Sequence, residues 1–149
     1  MKKFYPLAII AISFFMLSCS DDSESPDTIA EQTLMGTVMG DPFLATGGKA
    51  FVNPNGSISL SVTNTVADCS TDILDFVYYV SADVPNRIGF HRNVIVIFGK
   101  ENEAPLNVLN SIVEITEITA TELTGKIKSI SSTDDNRVEG SFTISLCTS

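Results

Sequence analysis

Residues 57–63 read Ser-Ile-Ser-Leu-Ser-Val-Thr, with every second residue apolar. A strand turns successive side chains to opposite faces, so Ile58, Leu60 and Val62 share one face and the hydroxyls the other. A helix would scatter the same apolar set around its axis. The preceding Asn53-Pro54-Asn55-Gly56 is turn chemistry, because proline presets φ and the glycine accepts a positive one. Residues 49–63 therefore predict a hairpin. The pattern returns near the C-terminus, where Val138, Gly140, Phe142, Ile144 and Leu146 alternate with Glu139, Ser141, Thr143 and Ser145. Before it, Leu123, Gly125 and Ile127 alternate with Thr124, Lys126 and Lys128, and the polar run 131–136 joins the two as a second hairpin.

Two further stretches lack a polar face. Residues 73–80 carry Ile73, Val77 and Tyr79 on one side and Leu74, Phe76, Tyr78 and Val80 on the other; residues 94–98 are Val-Ile-Val-Ile-Phe. Such runs suit strands covered on both sides, or strands whose greasy outer face is an interaction surface. Residues 33–39 and 112–118 add two more strands. Eight to ten short strands with no helical period predict an all-β domain, an antiparallel sandwich with a barrel as the alternative.

The N-terminus predicts an address. Residues 1–18, MKKFYPLAIIAISFFMLS, place two lysines before a 14-residue apolar run, too short for the roughly 20 residues of a bilayer-spanning helix. This is the composition of a cleaved secretory signal peptide. It ends in Met16-Leu17-Ser18-Cys19, which resembles the lipobox of bacterial lipoproteins, with Met16 and Leu17 where that family usually has leucine and a small residue. The resemblance implies a diacylglyceryl thioether on Cys19 as the covalent lipid, with no other cofactor, and cleavage after Ser18. Several acyl chains make such an anchor effectively permanent. Ser20-Asp21-Asp22 is similar to the export signal that sends Bacteroidota lipoproteins to the outer face of the outer membrane, a periplasm-facing anchor being the alternative. Residues 19–32 are read as a lipidated acidic tether, too polar to fold, and residues 33–149 as the β domain, large enough for one hydrophobic core.

With Cys19 assigned to the lipid, Cys69 and Cys147 are the two cysteines left in the domain. In an oxidising compartment such a pair becomes a disulfide, worth about 4 kcal/mol by chain entropy for a loop of about 79 residues. Cys147 falls on the polar face of its strand, so the bridge is expected to clip a loop over the outside of the sheet.

Charge narrows the partners. Loss of Lys2 and Lys3 leaves seven bases against 18 acids, a net charge of about −11. That disfavours nucleic acid, which needs clustered lysine and arginine. An acidic surface suits a basic protein or another extracellular ligand.

Catalytic chemistry finds little support. His91, the single histidine, sits in Gly-Phe-His-Arg-Asn and reads as a surface residue in a turn. No G-x-S-x-G elbow accompanies it. Two cysteines and one histidine lack zinc spacing, and Asp134-Asp135-Asn136 lacks the calcium-loop pattern. Tyr78 and Tyr79 point to opposite faces and read as packing residues.

Gly36-Thr37-Val38-Met39-Gly40-Asp41-Pro42-Phe43, with 123–127 and 138–142, resembles stretches of small Bacteroidota outer-membrane or surface lipoproteins whose all-β domain has no assigned function. The resemblance implies the anchor and the β fold, and brings no catalytic residues. The expected function is a non-enzymatic binding or accessory module at the cell surface. An inhibitor of a basic enzyme such as lysozyme is the alternative, and a hydrolase built on His91 the third.

Overall fold

A computed structural model describes residues 28–133 and 135–148; Cys19, Ser20, Asp21, Asp22 and the signal peptide lie outside them, as does Asp134. The alternating segments become nine strands: β1 (Met35–Val38), β2 (Asp41–Leu44), β3 (Gly47–Val52), β4 (Ser57–Thr63), β5 (Tyr78–Pro85), β6 (Gly89–Lys100), β7 (Leu106–Ile118), β8 (Glu122–Ile130) and β9 (Arg137–Cys147). Both predicted hairpins form, β3–β4 across Asn53–Gly56 and β8–β9 across 131–136.

From β3 to β9 each strand pairs antiparallel with the next, and β9 then pairs with β3. Seven strands that alternate in direction must end as they began, so the closing pair is parallel: Lys49, Ala50 and Phe51 lie beside Ser145, Leu146 and Cys147. The result is a closed seven-stranded barrel, the architecture held as the alternative to a sandwich. Curvature comes from irregular pairing. Bulges between His91 and Val96 in β6 and near Ile115 in β7 coil the sheet. At Gly125 a Cβ would stand 2.5 Å from the Glu114 carbonyl oxygen and 2.9 Å from Cζ of Phe142, so the Phe142 ring packs against the wall where no Cβ exists.

The barrel is filled, not hollow. Ile58, Leu60 and Val62 from β4, Val80 from β5, Val96 and Phe98 from β6, Val113 and Ile115 from β7 and Leu123 and Ile127 from β8 are fully buried, as expected when few strands enclose a core. A buried hydroxyl pair, Ser111 and Ser129, sits 2.7 Å apart within this wall. Burying each hydroxyl against the other satisfies both.

The G-x-V-x-G-x-x-F stretch is the β1–β2 hairpin, and it closes one end. β1 occupies the half of the β9 edge that β3 leaves free, Met35 to Thr37 pairing with Glu139 to Arg137. Gly36 has φ +152°, and a Cβ there would lie 1.8 Å from the Arg137 carbonyl oxygen. Val38 and Phe43 enter the core at 0% and 3% exposure. Across the rim, Asp41 accepts from the Tyr78 hydroxyl at 2.9 Å and from Lys100 at 3.1 Å, while Lys100 also reaches Glu103 at 2.9 Å. These donors hold the Asp41 carboxyl below the ordinary carboxylate range, Tyr78 leading and Lys100 following. Asn136 is buried with its Oδ1 accepting from Met39 N–H at 2.7 Å, which fixes the turn.

Two expectations are corrected. Residues 73–80 are not one buried strand: Ile73–Asp75 form a single 3-10 turn capped by Asp72, which accepts from Leu74 N–H at 3.0 Å, and Leu74 is 83% exposed. The cap and the break it makes win over the apolar run. Residues 94–98 are not covered on both sides, since Ile95 is half exposed. The disulfide forms as expected, Cys69 to Cys147 with Cα atoms 5.5 Å apart. It pins the 64–77 loop over the outer face of β3, where the loop accepts the Lys49 ammonium on the Thr71 carbonyl and buries Cys147.

Residues 28–32 do not hang free. Ile29 is buried, Ala30 N–H donates to Glu139 at 3.1 Å, Lys128 donates to the Thr28 carbonyl at 3.0 Å, and Lys126 bridges to Glu31. This strap lies on the outside of β8 and β9. Among the described residues no helix is long and apolar enough to cross a membrane.

Candidate functional site

The seam between β5 and β6 is where the barrel wall is interrupted. The two strands pair from Tyr78–Lys100 to Ala82–Val96 and then part. Beyond that couple β5 has three residues, Asp83–Pro85, before its turn, whereas β6 has seven, Gly89–Ile95. The surplus cannot run straight beside β5. It bows outward with β7, helped by Asn93 at φ 57°, while Asp83–Pro85 stays with β4. A groove of about 690 Å³ opens in the gap, within the roughly 300–1,000 Å³ usual for small-molecule sites.

Its floor comes from the alternation that opened the sequence. The hydroxyl face of β4 meets the matching face of β5: Ser59 lies opposite Asp83 and Ser61 opposite Ser81. Asn53 donates to Ser59 at 2.8 Å, Ser59 donates to Asp83, and the Ser61 and Ser81 oxygens are 2.7 Å apart. The row therefore holds its rotamers before anything arrives. The opposite wall is apolar, from Ile95 and Ile97, the outward residues of the Val-Ile-Val-Ile-Phe run. Leu60, Ala82 and Val94 show through from the core at the bottom of the gap.

The rim is cationic. Arg87 and Arg92 line it, with the Arg92 guanidinium 5.9 Å from the centre of the Phe90 ring, a cation–π contact. Phe90 itself is 44% exposed. His91 is also here, but it is buried in β6 rather than exposed in a turn. Register explains the correction: His91 pairs with Val113, an inward residue, and so shares its face. Its Nε2 lies 3.0 Å from the Arg87 carbonyl oxygen. That oxygen only accepts, so Nε2 carries the proton. Among the described residues its ring bonds no hydroxyl and no carboxylate, and the bond it makes ties the bowed arm to the turn.

Of the residues singled out in the sequence, Cys69 and Cys147 come together away from the groove, and the lipidation and export residues lie outside the described chain. Ser59, Ser61, Ser81, Asp83, Arg87 and Phe90 were not anticipated as a group. Their signal was present in two places: the greasy outer face at 94–98, and the mismatch in length on the two sides of the turn at 86–88. Among the described residues no cluster of three or more histidine, cysteine, aspartate or glutamate side chains forms a metal site. No protein-family model matches this chain, and no curated protein or solved structure is significantly similar to it.

Proposed function

We propose that this protein is a non-enzymatic binding module, tethered to the outer membrane through a lipid on Cys19, with the β5–β6 seam as its ligand site. The observation that carries the reading is the preformed groove: a hydrogen-bonded hydroxyl row facing an apolar wall in a barrel otherwise filled. Such a combination of apolar surface with a few fixed polar groups is what ligand sites share. The strap supports the tether. It reaches the barrel beside Lys128 and Glu139, near the plugged end, whereas the seam opens in the opposite half of β5 and β6. A lipid upstream of residue 28 would then leave the groove facing away from the membrane.

Two experiments test this. Cys19→Ala should move the protein out of the membrane fraction or leave it unprocessed; unchanged fractionation defeats the anchor. For the site, a fragment screen by saturation-transfer NMR on the full chain should give hits that vanish in Ser81→Trp, whose indole fills the groove. Hits that survive that substitution, or no hits at all, defeat the seam as a binding site.

A second reading concerns the disulfide loop. It exposes Val66, Ile73, Leu74 and Val77 between the acids Asp68, Asp72 and Asp75. An acidic, greasy protrusion held by a covalent clip suits docking on a basic protein, such as a lysozyme to be inhibited. Inhibition lost in Leu74→Ala and weakened by salt is the expected outcome; lysozyme unaffected by excess protein sinks it.

A further inference from the structure

We propose that the seam takes an uncharged oligosaccharide, its hydroxyls donating to the Ser59–Asp83 and Ser61–Ser81 rows and the C–H faces of its rings lying on Ile95 and Ile97. This rests on the seam being a binding site and names the class of ligand.

Charge is balanced in the groove. Asp83 and Arg87, one anion and one cation, both line it and both are exposed. The Arg92 guanidinium is engaged and lies against the Phe90 ring, which leaves those two as the charges open to a ligand. An anion drawn to Arg87 meets Asp83, and a cation drawn to Asp83 meets Arg87. A charge of either sign is thus opposed by a like charge in the same space. An uncharged polar ligand escapes both repulsions and can still use the two side chains as hydrogen-bonding partners.

The floor then selects among uncharged ligands, because it is short of donors. Ser59 uses its one hydrogen on Asp83 and accepts from Asn53. Within the Ser61–Ser81 pair one hydroxyl donates to the other, so a single hydrogen stays free. Against it stand the remaining lone pairs of three serine oxygens and of the Asp83 carboxylate. A ligand that fits must bring several donors on one side. A peptide strand brings one N–H per residue with a carbonyl acceptor to match it, whereas a sugar ring carries several O–H groups along its edge and C–H bonds on its faces. The apolar wall suits those faces. Ser61, Ser81 and Ile97 lie side by side on adjacent strands, each step being about 4.8 Å. One edge of a ring can therefore rest on the hydroxyls while its C–H face covers the isoleucine. The Ser59–Asp83 row lies two residues further along, about 7 Å away, which calls for a second, linked ring.

The test is isothermal titration of the full chain, in a detergent without a sugar headgroup, with maltose, cellobiose and lactose. Digalacturonate is the anionic comparator, and the disaccharide of glucosamine, in mildly acidic buffer where its amines are protonated, the cationic one. At least one neutral disaccharide should bind about tenfold more tightly than either charged one. Asp83→Ala should weaken that binding about 10- to 100-fold, as loss of hydrogen bonds to a charged group does. Asp83→Asn and Arg87→Gln should move the comparators in opposite directions. The first leaves Arg87 unopposed and lets digalacturonate gain about tenfold relative to the neutral sugar; the second does the same for the glucosamine disaccharide. A merely structural role would weaken every ligand alike. A charged disaccharide that binds the unaltered chain as tightly as the neutral ones, or two variants that shift no preference, overturns the uncharged assignment while the seam remains a site. Neutral sugar that binds regardless of Asp83→Ala and of Ser61→Ala with Ser81→Ala overturns the floor as its seat. No binding by any neutral disaccharide at millimolar concentration overturns the proposal as well; fragment hits lost in Ser81→Trp would then keep the seam as a site, and their absence would defeat both. Asp83 and Arg87 are exposed, so circular dichroism should show an unchanged fold in their variants.

Discussion

At one end of the barrel, Val38 and Phe43 are driven into the core and Asp41, Tyr78, Lys100 and Glu103 interlock across the rim. In the other half, β5 and β6 separate, Ile95 and Phe90 stay half exposed, and a serine row faces open space. The first region spends its apolar residues on closure; the second leaves them on show. The difference teaches where stability and recognition reside: they occupy opposite halves of β5 and β6 and should respond to separate substitutions.

The sharpest way to break that comparison is Phe43→Ala. It removes a buried ring from the plug and should cost about 3–5 kcal/mol, read from urea unfolding; a loss below about 1 kcal/mol would show the plug to be ornamental. Replacing Cys69 and Cys147 by serine should cost about 2–4 kcal/mol and leave ligand hits in the seam intact, since the bridge is remote from it. Ser111→Ala strands the Ser129 hydroxyl inside the wall and should cost about 1–2 kcal/mol, whereas the double alanine variant should be nearer wild type. At the seam, Ile95→Ser should change stability by no more than about 0.5 kcal/mol yet lose the hits; a large stability loss would mean the outer face of β6 is structural.

The pH response should be small, because the groups that titrate at the plug are only half-buried and are screened by solvent. Asp41 is depressed below its ordinary 3.8, so its contribution is present above that pH and fades as acid carries it through the folded value. Tyr78, held up chiefly by its hydrogen bond to Asp41, and Lys100, held up chiefly by Glu103, are both raised. Their contributions are complete below pH 10 and fade as alkali passes their folded values. Thermal unfolding followed from pH 3 to 11 should show a plateau bounded on both sides, and Asp41→Asn should flatten the acid edge.

Strands with one wet face were readable because period two is set by the backbone alone. The hairpins at 53–56 and 131–136 were readable for the same local reason. Closure was not, because sandwich and barrel share alternation and differ in which distant edges meet, here Lys49 with Ser145. Residues 73–77 misled because apolar side chains outvoted Asp72, whose cap decides the local backbone. His91 was misplaced by treating the Gly-Phe-His-Arg-Asn stretch as a turn, when it is the bowed part of a long strand. The serine row looked like the dull side of a strand. Only the parting of β5 from β6 turns it into a floor, and that parting is a tertiary property of unequal lengths.

β9 has consequences for how this chain comes to exist. It is shared by three partners, β8 along one edge and β1 and β3 in turn along the other. These 11 residues are also the last of the barrel's seven strands in chain order. Neither the ring nor the plug has its seat until they arrive, and every contact they make with β1 and β3 spans nearly the whole domain. A barrel made or threaded from its N-terminal side therefore stays open until β9 is free, then closes both structures in one late event.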